Sequence, residues 1–244
     1  MHLIEREYKS DIDQNISFAD QLVEVAQLFR QRLAKLVADW LRVGYCQGNF
    51  NSDNCATGGF TLDYGPFGFC EMFDPKFQPW TGGGEHFSFF NQPIAAEANF
   101  HMFWTALRPL LDGDTEACDK FDEIRNDFPS IIQNQLQKMW AAKLGLNKMD
   151  PHLLKNLFQL MGQSNVDYTI FFRELSKIPD DVRSLTMSFY NKASQDLLDQ
   201  WQSWLLSWRD LLPDNFSLNE ISSKMKLVNP KYTWREWLIV PAYE

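Results

Sequence analysis

The residues best suited to chemistry lie in one stretch, Gly48-Asn49-Phe50-Asn51-Ser52-Asp53-Asn54-Cys55-Ala56-Thr57-Gly58-Gly59-Phe60-Thr61-Leu62-Asp63-Tyr64-Gly65. Gly58-Gly59 between short runs predicts a two-residue hairpin, because a type I′ turn needs positive φ at both central positions. In that register Thr57 opposes Phe60, Ala56 opposes Thr61, Cys55 opposes Leu62 and Asn54 opposes Asp63. Opposed residues of an antiparallel pair have β-carbons about 5 Å apart on one face, so the Asn54 amide oxygen and the Asp63 carboxylate could share one small cation. Mg²⁺ takes hard oxygen ligands and commonly keeps only one or two from protein, leaving other positions to water and substrate phosphate. Asp53 is adjacent to Asn54, points elsewhere, and is free to accept a proton from an attacking hydroxyl. Asn and Asp beside Gly are also what any ordinary turn would use, and that reading competes with the metal one.

The elements that must position this stretch are mostly helices. From Ser17 to Val43 the apolar positions Leu22, Val25, Ala26, Phe29, Leu33, Leu36, Val37 and Trp40 recur at three- and four-residue steps, one face of a long helix. Ser17 with Asp20 supplies an N-cap resembling a capping box, and Gly44 supplies the stop. Residues 45–92 lose helical periodicity and read as loop. Helical signals return with Asn91 as cap and Pro93 in the first turn, followed by Ile94, Ala98, Met102 and Leu107. Further helices are predicted over 115–127, over 130–144 closed by Gly145, and over 151–161 opened by Asp150-Pro151 and closed by Gly162. Others follow over 167–177, 181–212 and 217–226. The expected class is mainly α, helical with a small β-hairpin carrying the metal-binding residues, in one unit with no linker dividing it.

Bulk properties exclude several roles. Twenty-three Lys and Arg against 32 Asp and Glu give a net charge of −9, which disfavours nucleic acid or an anionic membrane as the main partner. No apolar run is long enough to span a bilayer and the first residues lack a secretory signal, so the chain reads as intracellular. Cys46, Cys55, Cys70 and Cys118 form no CxxC pair and no His stands at a zinc-like offset, which leaves buried, reduced thiols. His86, His101 and His152 are scattered, and Trp201, Trp204 and Trp208 fall at helical spacing as core residues.

Protein kinases combine a catalytic-loop Asp as base, a following Asn on metal, and the Asp of Asp-Phe-Gly on metal, but they separate the first two by four residues. Here Asp53 and Asn54 are adjacent, which disfavours an ordinary protein kinase. Instead Asn51-Ser52-Asp53-Asn54, nine residues ahead of an Asp-Tyr-Gly-Pro-Phe-Gly-Phe block, resembles the SelO (selenoprotein O, YdiU) family, whose usual form is HG-x-x-NTDN followed by DYGPFGF. Phe73-Asp74-Pro75 and Asn91-Gln92-Pro93 are similar to it as well. So are Lys143-Leu144-Gly145-Leu146, the run from Asp167-Tyr168 to Arg173, and Asn229-Pro230-Lys231-Tyr232 with Arg235. Two local departures stand out: Gln47 replaces the family's His before the glycine, and Ser52 replaces Thr.

The resemblance implies a protein-kinase-like fold that transfers AMP from ATP to Ser, Thr or Tyr hydroxyls of proteins. It makes Asp53 the proton acceptor, with Asn54 and Asp63 as ligands of Mg²⁺ (or Mn²⁺) and hence of the nucleotide. ATP and protein substrates are the implied partners. The family's Gly-rich loop, its Lys and Glu pair and its phosphate-gripping arginines have no match before residue 45. Residues 1–244 are therefore expected to be the C-terminal lobe, with the N-terminal ATP-binding lobe absent and the isolated chain inactive. A mitochondrial location in a eukaryote, or a cytoplasmic one in a bacterium, goes with the same resemblance. The competing expectation is a non-catalytic folded module acting in binding or regulation.

Overall fold

In the computed structural model, residues 1–62, 65, 67–80, 82 and 84–242 are described. Helix α1, Phe18–Val43, keeps the limits its sequence predicts. Ser17 Oγ accepts the Asp20 amide at 3.1 Å and donates its hydroxyl to the Asp20 carboxylate at 2.7 Å. The cap is therefore made through the hydroxyl rather than through the reciprocal backbone bond of a full capping box. At the far end Gly44 takes φ +82°, and a β-carbon there would press on the Tyr168 ring at 3.1 Å. Both the left-handed turn and the close approach call for glycine.

Leu22, Val25, Phe29, Leu33, Val37 and Leu41 of α1 are buried. They face α2 (Gln92–Leu107), α3 (Thr115–Asn126) and α4 (Phe128–Lys143), which surround α1. Aromatic rings fill the seam: Phe29 lies 4.7 Å from Phe103 and Phe100 stacks on Phe128 at 4.9 Å, ring-centre to ring-centre. Buried Arg30 of α1 reaches Asp127, at the break between α3 and α4, at 3.1 Å.

The second half adds α5 (Pro151–Ser164), α6 (Tyr168–Leu175), α7 (Gln195–Arg209), α8 (Leu218–Val228) and the short α9 (Glu236–Ile239). Trp201, Trp204 and Trp208 of α7 are core residues, as their spacing predicts. Their indole N–H groups donate to Ser164 Oγ, Leu153 O and Leu144 O at 2.7, 3.0 and 2.8 Å, so each of these three buried donors is paired.

The mainly α expectation holds, but two helix limits differ. Gly162 does not close α5; the helix continues to Ser164, and Asn165 at φ 47° makes the left-handed stop. Nothing crowds Gly162, so a glycine there costs some helix propensity without forcing an end. Residues 181–212 do not form one helix. A 3-10 segment, Val182–Ser188, is followed by an extended stretch in which Phe189 bridges Val166, and α7 begins only after the Ser194 cap. That pairing with a remote strand overrides the local periodicity.

All four cysteines are free; Cys46, Cys70 and Cys118 are buried and Cys55 is half-buried. Burial pushes the thiols of Cys46, Cys55 and Cys70 up to about 12, so they stay protonated and unreactive near neutral pH. Among the described residues no helix is long and apolar enough to cross a membrane.

Candidate active site

The loop that carries Asp53 and Asn54 is closed at its foot by a short antiparallel ladder. β1, Tyr45–Gln47, follows directly from Gly44 and pairs with β2, Phe67–Phe69, in the register Tyr45 with Phe69, Cys46 with Gly68 and Gln47 with Phe67. Cys70 N–H donates to Gly44 O at 2.7 Å and extends the ladder toward α1. Gln47, where the SelO pattern has His, is buried; its backbone N–H donates to Gln92 Oε1 at 2.9 Å and its side-chain oxygen accepts the Tyr45 hydroxyl. A neutral amide thus serves as a hydrogen-bonding filler at the loop's root.

Helix α2 holds the root from beneath. Gln92 Nε2 donates to Tyr45 O and Phe89 O at 3.0 and 3.1 Å, and Asn99 Nδ2 donates to Phe50 O at 2.9 Å. Phe50 is buried edge-on to Trp40 at 4.8 Å. Sequence reading assigned no role to Gln92 or Asn99. A signal existed, because two amides seven residues apart share one helical face that is otherwise buried and apolar.

Ser52–Asn54 forms a single 3-10 turn, with Asn54 N–H donating to Asn51 O at 3.1 Å. Successive residues of such a turn are rotated by about 120°, so Asp53 and Asn54 face different ways. Asp53 is exposed to solvent. Asn54 is half-buried, and its Nδ2 donates to Asn49 O at 2.8 Å, which leaves its amide oxygen as the ligand-type atom. Asn51 Oδ1 is buried and accepts no hydrogen bond. An amide oxygen is a hard donor, of the kind that suits Mg²⁺ better than a soft metal. Among the described residues no group of three or more His, Cys, Asp or Glu could hold a metal alone.

The expected hairpin register is corrected by the structure. Cys55 bridges Thr61, not Leu62, and the turn runs from Ala56 to Gly59 with Gly59 N–H donating to Ala56 O at 2.9 Å. Only Gly59 has positive φ, +77°; Gly58 does not, so no type I′ turn forms. The physical reason lies in packing, since a β-carbon on Gly59 would overlap the Arg32 β-carbon of α1. With the pairing offset by one, opposition of Asn54 to Asp63 no longer follows from the turn. Asp63 and Tyr64 lie outside the described residues.

Sequence blocks far from the loop meet behind it. Lys143, at the end of α4, is buried with Nζ 2.8 Å from Arg42 O and 3.0 Å from Asn229 Oδ1, and it sits 3.8 Å above the Phe172 ring. Asn229 Nδ2 donates in turn to Lys143 O at 2.8 Å and Ser176 Oγ at 3.0 Å. Burial, then the Arg42 charge, hold the lysine well below its ordinary value. Nearer the ladder, buried Asp167 caps α6 through Ile170 N–H at 2.8 Å and takes the Arg235 guanidinium at 2.6 and 3.1 Å. Tyr190 donates to Asp167 and to Glu71; burial and its carboxylate partners push its hydroxyl pKa up.

Comparison with known proteins agrees with this arrangement of blocks. The family model described as "Protein adenylyltransferase SelO" matches residues 1–244. The chain is similar to the "Protein nucleotidyltransferase YdiU" of Flavobacterium johnsoniae, 32% identical over 218 residues, covering 84% of this chain and 41% of that protein. It is similar also to those of Xanthomonas euvesicatoria, at 33% over 238 residues (93% and 44%), and Aeromonas hydrophila, at 32% over 229 residues (89% and 46%). The chain spans less than half the length of these curated relatives. With the family match running over residues 1–244, the chain belongs to the SelO family.

Proposed function

We propose that this chain is the C-terminal lobe of a kinase-like protein adenylyltransferase, which moves AMP from ATP to Ser, Thr or Tyr hydroxyls of protein substrates. The observation that carries the reading is the 3-10 turn Ser52–Asn54, where an exposed carboxylate stands beside an amide whose nitrogen is already committed to Asn49 O. The relatives' names, which specify nucleotidyl transfer to protein, support the same reaction class.

In this reading Asp53 accepts the proton of the attacking hydroxyl, whose oxygen bonds to the α-phosphorus as the bond to pyrophosphate breaks. Asn54 and Asp63 would hold Mg²⁺ or Mn²⁺. When bound, the cation neutralises charge on the phosphates and orients them. Exposure of Asp53 keeps its carboxylate accessible to a protein hydroxyl, and the ladder at the loop's foot fixes where that carboxylate is presented. Most contacts to the nucleotide phosphates are assigned to an N-terminal lobe, so the isolated chain is expected to be inactive.

The test uses the native polypeptide containing this chain. Label from α-phosphate-labelled ATP should appear on protein, and Asp53→Ala should abolish it. Label from the γ-phosphate alone would instead mean phosphoryl transfer and would overturn the reading.

A further inference from the structure

The tip of the active-site loop is fastened to the N-terminal segment of the chain. A short π-helical turn, Ile4–Tyr8, lies against α1, and Tyr8 is fully buried. Its hydroxyl donates to Thr57 O, three residues beyond Asn54. The Arg32 guanidinium lies 4.5 Å above the Tyr8 ring. It donates through Nη1 to Glu7 O at 3.2 Å and to Gly58 O at 3.5 Å, and pairs through Nη2 with Asp11 at 3.1 Å. Two consecutive carbonyls of the tip are therefore held by one ring and one guanidinium.

This contact is transmitted toward Asp53 by short backbone links. Cys55 N–H donates to Ser52 O at 3.4 Å, and the Cys55–Thr61 bridge ties the same residue to the far side of the loop. Trp40 Nε1 fixes Thr61 Oγ1 at 2.9 Å. At the other end of the turn, Asn99 holds Phe50 O and Asn54 holds Asn49 O. The 3-10 turn is thus pinned before and after, and Tyr8 with Arg32 forms the outermost pin. Gly59 allows α1 to come this close, at the cost of the hairpin register its neighbour Gly58 would otherwise favour.

We propose that Tyr8 and Arg32 are positioning residues for Asp53 and Asn54: they set where the 3-10 turn presents its base and its metal ligand, without touching substrate. This rests on the adenylyl-transfer reading above. Tyr8→Phe removes one hydroxyl from a packed ring that otherwise keeps its contacts, so the fold should survive. Arg32→Lys keeps a positive charge but loses the fork that reaches Glu7 O and Gly58 O through Nη1 while holding Asp11 through Nη2.

The experiment measures amide hydrogen exchange over residues 52–61, and α-labelled AMP transfer against Mg²⁺ concentration, in the native polypeptide and its Tyr8→Phe, Arg32→Lys and Asp53→Ala variants. Loosening the turn should speed exchange there, raise the Mg²⁺ midpoint by roughly tenfold and leave transfer below the parental level at saturating Mg²⁺, because small misplacements of catalytic groups carry large rate penalties. Asp53→Ala should lose transfer at every Mg²⁺ concentration with exchange unchanged. Unchanged exchange in Tyr8→Phe overturns the brace. Faster exchange with parental transfer and Mg²⁺ dependence, while Asp53→Ala is inactive, overturns the positioning role and leaves the reaction assignment standing. If Asp53→Ala transfers as well as the parent, or the parent transfers no label, the reaction assignment falls and the positioning role falls with it.

Discussion

In the helical body Lys143, Asn229, Asp167 and Arg235 are enclosed and bonded to one another or to backbone, whereas on the loop Asp53 stands in solvent and Asn51 Oδ1 is buried without a partner. Both regions are built from the same polar residue types. Where polar groups are paired inside the body, as these four are, they fix the geometry of packed helices. On a turn that is itself held at both ends, the exposed Asp53 carboxylate is available to something outside the chain. The contrast separates residues that hold the shape from residues that meet a ligand.

The comparison breaks first at Asp53. Asp53→Ala should lower transfer by about 10²–10⁴-fold, the usual worth of a positioned base, while the midpoint of urea unfolding stays at the parental value. A drop in stability would move Asp53 into the structural group. The reverse is expected for Asn229→Ala, which takes one of its two acceptors from the buried Lys143 ammonium and the Asn229 donor from the Lys143 carbonyl. It should cost about 3–4 kcal/mol in urea unfolding, the range for breaking a buried charged node. Arg235→Met should cost less, about 2 kcal/mol, because Glu71 and Asp167 lose a partner that is itself slightly exposed. The same unfolding curves measure it.

The smallest and sharpest effect is a pH dependence. The folded pKa of Lys143 is depressed, so between that value and the roughly 10.4 of unfolded lysine the unfolded chain binds more protons. Stability from this group therefore rises with pH across that window. The difference in unfolding free energy between the parent and Lys143→Met should grow as pH increases toward 10, since the other titrating groups are shared and cancel. A constant difference would mean that the ammonium is not penalised by its surroundings.

The local signals legible in the sequence were those whose physics is local. The Ser17 cap, the Gly44 stop, the Asp150-Pro151 start of α5 and the Trp201, Trp204 and Trp208 face all read directly onto structure. Asp53 and Asn54 were legible as neighbours with separate directions, and the 3-10 turn keeps them so. What escaped was set by distant contacts. Gly58-Gly59 looks like a hairpin turn until Arg32 and Glu7 of other elements are known to press on it. Residues 189–190 look helical until they pair with Asn165 and Val166. The pairing of Lys143 with Asn229, 86 positions apart, has no signature in either segment alone.

The three-residue ladder at the foot of the loop has a consequence for how this site can change. Because its two strands are held in one register, the ladder sets the points at which the loop leaves and rejoins the body, so a substitution within the loop leaves those two points where they are. A one-residue deletion within Tyr45–Gln47 is another matter, since it turns every side chain of that strand to the opposite face, and with all three residues buried each would meet the wrong partners, Tyr45 leaving Phe69.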